Sequence, residues 1–323
     1  MIGQVTPTAQ FNWWTVDAYS SIAYLGVPLF VILSGVLLLD PAKENESLTV
    51  FYKKRAARIA IPIAFWTVWY FGWSYFVRGN PLTPNFLFEG LLNGSYFHLW
   101  FLYLLIGLYL VTPVLRTIVK YLDFQKFTFF IALWFAGTVA EPFMKIFLPD
   151  VYFNPVIFMF TGWAGTFLLG VYLLKSPKAP SWRLIVILIA GLLVSVIGDA
   201  VAPLYAGEAS VGFFHEYLSF GIILAAAALF LLLAAVPKSQ LQTQHATFSR
   251  VVNWVGKNSL GIYLVHVMIL ETITNGYLGG FKINMGTVSP IIEIPLVTAL
   301  TFVLTCLLVY GIKKIPYANK ILG

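Results

Sequence analysis

The sequence predicts an all-α fold, a polytopic transmembrane helical bundle, and three observations carry that prediction. Of its 323 residues, 59% are hydrophobic and only 10% are charged, whereas a soluble domain carries about 25% charged residues. Mean hydropathy is +0.84. Apolar runs of about 20 residues recur from one end to the other, the length that crosses a hydrocarbon core of ~30 Å. The runs are continuous, which argues against a transmembrane β-barrel, whose ~10-residue strands alternate apolar and polar residues.

Taken in order, nine runs read as spans: Tyr19–Leu39, Ile59–Val77, Leu99–Leu115, Phe127–Phe147, Pro155–Leu174, Leu184–Leu204, Tyr217–Val236, Ser259–Leu278 and Pro290–Ile312. The fourth is interrupted by Glu141-Pro142. The connections are short, and neither a low-complexity tract nor an internal repeat is evident. The expectation is one membrane domain over residues 1–323, made of an outer-side leader (1–18), a bundle (19–312) and a cytoplasmic tail (313–323).

Orientation follows from the cations. With the loop after the first span placed in the cytoplasm, the inner side receives Lys43, Lys53, Lys54, Arg55, Arg58, Arg116, Lys120, Lys126, Lys175, Lys178, Arg183, Lys238, Arg250, Lys257, Lys313, Lys314 and Lys320. The outer side keeps Arg78, Lys145 and Lys282. This is the positive-inside pattern of a multi-pass protein of the inner (plasma) membrane with its C-terminus inside. Nine spans then put the N-terminus outside. The first eighteen residues hold no Lys or Arg, so they are not the basic start of a signal peptide. An additional upstream helix running from inside to outside would explain that topology most simply.

The net charge of +7 has the same origin, since cations collect in cytoplasmic loops and meet anionic lipid there. Membrane lipids, and not nucleic acid, are the partners it implies. The one cysteine, Cys306, lies in an apolar run, so there is no internal disulfide and no cysteine metal cluster.

Few residues can carry chemistry. Lys53, Lys54, Arg55 and Arg58 cluster at the mouth of the second span. If its helix begins there, Arg55 and Arg58 share a face and can fork onto a phosphate or pyrophosphate; the competing reading is an ordinary cytoplasmic anchor. Pro62 follows just inside the run and can re-aim the helix. Ser34-Gly35, in mid-span, suits close helix packing. His98 stands at the outer end of the third span, either as an acid or base or as a water-satisfied interfacial histidine. His266 lies a third to halfway across its span, where an ionisable side chain is costly and faces the bundle interior or a wet cavity. Glu141, Asp199 and Glu271 are candidates of the same kind near span ends. His266 and Glu271, five apart, do not share a helix face. No HExxH, Walker loop or GxSxG elbow is present, and four histidines on separate segments do not by themselves make a metal site.

The stretches VPLFVILSGVLLL, FYKKRAARIAIP, YFHLWFLYLLIGLYLVTPVLR and NSLGIYLVHVMILE occur in that order. Together they resemble the acyltransferase-3 family of integral-membrane acyltransferases, over about Ala18 to Lys314. The resemblance implies ten spans, acyl-CoA (usually acetyl-CoA) as a co-substrate with no permanently bound cofactor or metal, and O-acetylation of a sugar. The acceptors it implies are cell-surface or exported glycans or their lipid-linked precursors. The family's RxxR motif matches Arg55 and Arg58, which implies that they bind the CoA diphosphate. His98 and His266 fall inside blocks similar to the family's, with assisting roles, and Glu141 is a further candidate to assist. The family's first span carries a basic residue and, eleven positions later, the histidine taken as catalytic. Reading back eleven from each histidine here gives Leu87, Leu204, Ala234 and Val255, none of them basic. The catalytic histidine is therefore unassigned and expected on an upstream span. The alternatives to acyl transfer are a proton-coupled glycan transporter or flippase, for which paired helix-breaking halves would be expected, and an inactive truncated relative.

Overall fold

A computed structural model describes residues 7–43, 45–148, 162–237, 246–277, 279–284 and 286–323. Among these the chain is helical, with no strand. In order the helices are α1 (Pro7–Ala23), α2 (Gly26–Leu38), α3 (Leu48–Phe76), α4 (Pro84–Asn93), α5 (Trp100–Tyr121) and α6 (Phe124–Phe147). They continue with α7 (Trp163–Lys175), α8 (Ser181–Ala206), α9 (Phe220–Ala234), α10 (Ala246–Lys257), α11 (Ser259–Asn275) and α12 (Pro290–Lys313). Among the described residues six stretches are long and apolar enough to cross a membrane: Gln10–Leu38, Pro84–Tyr121, Phe124–Phe147, Ser181–Ala206, Phe213–Ala234 and Pro290–Lys313. α7 and α11 are shorter apolar helices. The span expected at Ile59–Val77 lies in α3, where tryptophans and tyrosines lower the hydropathy without shortening the helix. The start of the span expected at Pro155–Leu174 falls outside the described residues. The helix that contains Tyr19 begins earlier, at Pro7, and only Tyr24 and Leu25 separate α1 from α2.

Two compact units are present, one formed by Met1–Asn45 and Thr112–Val236, the other by Glu46–Val111 and Pro237–Gly323. In the first, α2 packs on α7 and α9, α8 on α9, α1 on α8, and α6 on α7. Glycines set these distances. A Cβ on Gly35 would collide with the backbone carbonyl of Phe167, and one on Gly170 with that of Ile32, so α2 and α7 meet backbone to backbone. Gly191 and Gly221 do the same for α8 and α9. Small residues are what permit such approach where lipid supplies no hydrophobic drive between helices. The end of α2 is closed by cations. Arg116, 2% exposed, donates from Nε to the Leu38 carbonyl (2.6 Å) and from Nη1 to that of Lys43 (3.1 Å), and Lys43 Nζ donates to the Leu37 carbonyl (2.8 Å). Unpaired carbonyls and the negative end of the dipole make a helix C-terminus a natural cation site.

In the second unit α11 packs on α12, and the last turn, Ala318–Leu322, packs on α3, α11 and α12. Leu322 is buried against Gly261, and Trp66 Nε1 donates to the Ile321 carbonyl (2.8 Å). The C-terminal residues are thus docked, which their polarity alone did not suggest. α4, capped by Thr83 with Pro84 in its first turn, rests Gly90 on the Phe71 ring.

Replacing Gly35 by Ala places a methyl group against the Phe167 carbonyl and is expected to cost about 1–3 kcal/mol. Gly72→Ala, whose Cβ meets open space, is neutral or slightly stabilising. Thermal unfolding of the detergent-solubilised variants checks this, and equal midpoints for the two would refute the α2–α7 contact.

Candidate active site

The cationic cluster is built on a helix that starts well before it. Ser47 caps α3, its side chain accepting from the Val50 N–H (3.3 Å), so Arg55 and Arg58 are fully helical and share a face as their spacing requires. Their neighbours differ. Lys54 is paired with Glu46 (2.8 Å). Arg55 lies 5.3 Å from the Phe51 ring centre and 5.6 Å from that of Tyr109, and its buried Nε has no hydrogen-bond partner among the described residues. Both guanidiniums act electrostatically on the Tyr109 hydroxyl. Two aromatic faces therefore fix Arg55 by cation–π contact without consuming its donors, which are left for an anion.

Farther along α3, Tyr70 is fully buried and donates to the Leu264 carbonyl of α11 (2.7 Å). His98, in the short turn Phe97–Leu99 that precedes α5, stands edge-on to Tyr70 (4.8 Å between ring centres) and to His266 (5.5 Å). It is 5% exposed, so it is not a histidine satisfied by interfacial water. Neither ring nitrogen has a hydrogen bond of normal geometry among the described residues; the nearby Leu264 carbonyl is taken by Tyr70. His266 is half-buried, with Nδ1 2.6 Å from the Tyr263 carbonyl. A carbonyl only accepts, so in neutral His266 the proton sits on Nδ1 and Nε2 presents a lone pair. The Tyr263 hydroxyl returns to the His98 carbonyl. The two histidines, far apart in sequence, thus form one cluster with Tyr70 and Tyr263.

Glu271 stands beside this cluster as a structural tie. Its carboxylate accepts from Trp73 Nε1 (2.9 Å) and from the Tyr96 hydroxyl (2.5 Å). Arg78 Nη1 donates to the same hydroxyl (3.0 Å) and lies 3.9 Å from Glu271 Oε1. Tyr96 stacks on Tyr70, their ring centres 4.7 Å apart, so these bonds hold the wall against which His98 rests.

The remaining candidates lie in the other unit. Glu141 pairs with Lys145 one turn along α6, an i,i+4 pair of the ordinary helix-surface kind. Asp199 of α8 faces His215, 3.4 Å from Oδ2 to Nδ1, and its other oxygen accepts from the Gly212 N–H (2.8 Å). Asp17 and Ser21 of α1 meet the opposite ring nitrogen. Sequence reading passed over Asp17, Ser21, His215, Tyr70, Tyr96 and Tyr263. The spacings Asp17–Ser21 and Tyr263–His266 do mark shared helix faces, but nothing in the sequence joins Tyr70 to Leu264 or Ser21 to His215 across 194 positions.

Comparison with known proteins agrees with the resemblance in the sequence. A family model described as an acyltransferase domain matches residues 2–310. No curated protein and no solved structure matches. The matched region includes Arg55, Arg58 and the histidine cluster as well as the spans. The chain belongs to the acyltransferase-3 family and is a multi-pass membrane acyltransferase.

Proposed function

We propose that the protein transfers an acyl group, acetyl in the simplest case, from acyl-CoA to a hydroxyl of a cell-surface or exported glycan or its lipid-linked precursor. The observation that carries this reading is Arg55, a guanidinium held between two rings with an unsatisfied buried donor and Arg58 one turn on. Paired guanidiniums recognise a diphosphate by bidentate, charge-assisted hydrogen bonds. Tyr70, which touches His98, stands fifteen residues along the same helix, or ~22 Å at 1.5 Å per residue. A donor held by its phosphates at Arg55 and Arg58 therefore directs an extended thioester arm along α3 toward the histidines.

In the transfer, the acceptor oxygen bonds to the acyl carbon, the carbon–sulfur bond breaks, and the hydroxyl proton ends on the departing CoA sulfur. His266, with Nε2 as its basic atom, assists that proton movement. The aromatic wall of Tyr70, Tyr96 and Tyr263, the first two buried, limits water around the histidines. The protein lies in the inner (plasma) membrane with its C-terminus in the cytoplasm, where acyl-CoA is made. In support, Gly323 sits beside the Arg58 carbonyl, so the C-terminus and the cationic cluster share one end of their unit.

Membranes containing the protein are expected to move label from acetyl-CoA to glycan. Arg55→Gln and Arg58→Gln each remove a charge-assisted contact of about 1.5–3 kcal/mol and should raise KM for acetyl-CoA about 10–100-fold, with the smaller effect on kcat. An unchanged KM in well-expressed variants would sink the docking role.

His266→Gln is expected to lower kcat by about 10²–10⁴ while KM for acetyl-CoA stays near its original value. A variant that loses only donor affinity would place His266 in binding and not in proton transfer.

A further inference from the structure

Acyl transfer leaves the buried cluster on α1, α8 and the turn before α9 without a role. His215 stands at its centre. Its Nε2 lies 2.9 Å from Ser21 Oγ and 3.4 Å from Asp17 Oδ1, and its Nδ1 lies 3.4 Å from Asp199 Oδ2. Asp17 is 4% exposed and Ser21 fully buried. All four residues fall in stretches able to cross a membrane, where uncompensated charge is most costly. The turn that carries His215 is fixed to α8. Ser195 Oγ donates to the Phe214 carbonyl (2.6 Å), and the Gly212 N–H, at a left-handed residue (φ 78°), donates to Asp199.

We infer that this cluster is a site for one divalent cation of the zinc class, bound by His215 Nε2, the Asp17 carboxylate and Ser21 Oγ, with Asp199 orienting the imidazole. Four observations support it. Ligand atoms of Asp17, Asp199 and His215 all lie within 4.8 Å of one another. The Asp17 Oδ2 is buried with no hydrogen-bond partner among the described residues, while Oδ1 faces His215 Nε2, so the carboxylate keeps one acceptor unused. The 3.4 Å from Asp17 Oδ1 to Nε2 exceeds the ~2.7–2.9 Å of a charge-assisted hydrogen bond. Two metal bonds of ~2.1 Å, however, span ~3.4 Å at the tetrahedral angle and ~3.0 Å at a right angle, which matches Asp17 and Ser21 about Nε2. Finally, two carboxylates and a neutral imidazole sum to a charge that one divalent ion cancels.

The mixed nitrogen and oxygen donors favour zinc over magnesium, which prefers oxygens alone. Asp199, fixed by the Gly212 N–H, lies 3.4 Å from Nδ1, so its charge favours the proton on that nitrogen and leaves Nε2 for the metal, as in a carboxylate–histidine–metal arrangement. The ion clips α1, α8 and the turn before α9 together. It is separate from acyl transfer, so its test does not depend on that activity.

The test uses purified full-length protein in detergent, stripped with EDTA and reloaded with Zn²⁺, Mn²⁺ or Mg²⁺ separately, with bound metal measured by mass spectrometry and stability by thermal unfolding. The expected result is one zinc per chain and a midpoint that rises with Zn²⁺ and falls on chelation. Asp17→Asn and His215→Gln lose both effects, and Asp199→Asn weakens affinity by about 10–100-fold. Asp123→Asn, at an exposed helix cap, retains them. Zinc that is substoichiometric and without effect on the wild-type midpoint would overturn the site, whatever the variants do. Equal retention of zinc by Asp17→Asn and His215→Gln, or saturation by Mg²⁺ alone, would do so too.

Discussion

Inside a bilayer a polar group has no water to fall back on, and each one the chain carries to that depth has to be met from within the protein. The architecture of both units follows from meeting that demand. The Tyr70 hydroxyl reaches the Leu264 carbonyl (2.7 Å) and Trp134 Nε1 the Gly162 carbonyl (2.8 Å), so the large aromatics that fill the core also bond its backbone. Where helices cross without such bonds, glycine lets their backbones touch, as at Gly35 and Gly170. Among the described residues, the buried polar atoms left without a hydrogen bond include Arg55 Nε, both ring nitrogens of His98 and Asp17 Oδ2, each on a side chain whose chemistry suits a ligand or a proton.

The same criterion separates the cations. By charge alone Lys43, Lys54, Arg55, Arg116 and Lys175 are equivalent contributors to one topological signal. In the fold Lys43 and Arg116 close the end of α2, Lys175 donates to the Val119 carbonyl (3.1 Å), and Lys54 is paired with Glu46. Arg55 instead makes aromatic contacts, which hold a guanidinium without occupying its hydrogen-bond donors. A binding site is distinguished from an anchor by what its charges have left to offer.

The two histidine clusters answer burial differently. Around His98 and His266 the neighbours are aromatic rings and carbonyls, and Glu271 is occupied by Tyr96 and Trp73. Around His215 the neighbours are two carboxylates and a hydroxyl, a ligand set for positive charge. One residue type is thus buried among rings and carbonyls in one unit and among carboxylates in the other.

The fold class, the family and most of the spans were legible in the sequence, because hydrophobic length is summed over many residues and survives local exceptions. Arg55 and Arg58 were legible as a pair, because helix periodicity alone puts positions three apart on one face. The sequence also named His98 and His266 separately, each from its depth in a span. It could not bring them together, since their contact depends on how α11 and the turn before α5 pack. It passed over Asp17 and Ser21, because one fell in the expected leader and the other in the first span, and only the packing of α1 on α8 brings both to His215. The tertiary structure alone decided those meetings, and it also decided which charges were already spent, because hydrogen bonds between distant segments leave no periodic trace in the chain.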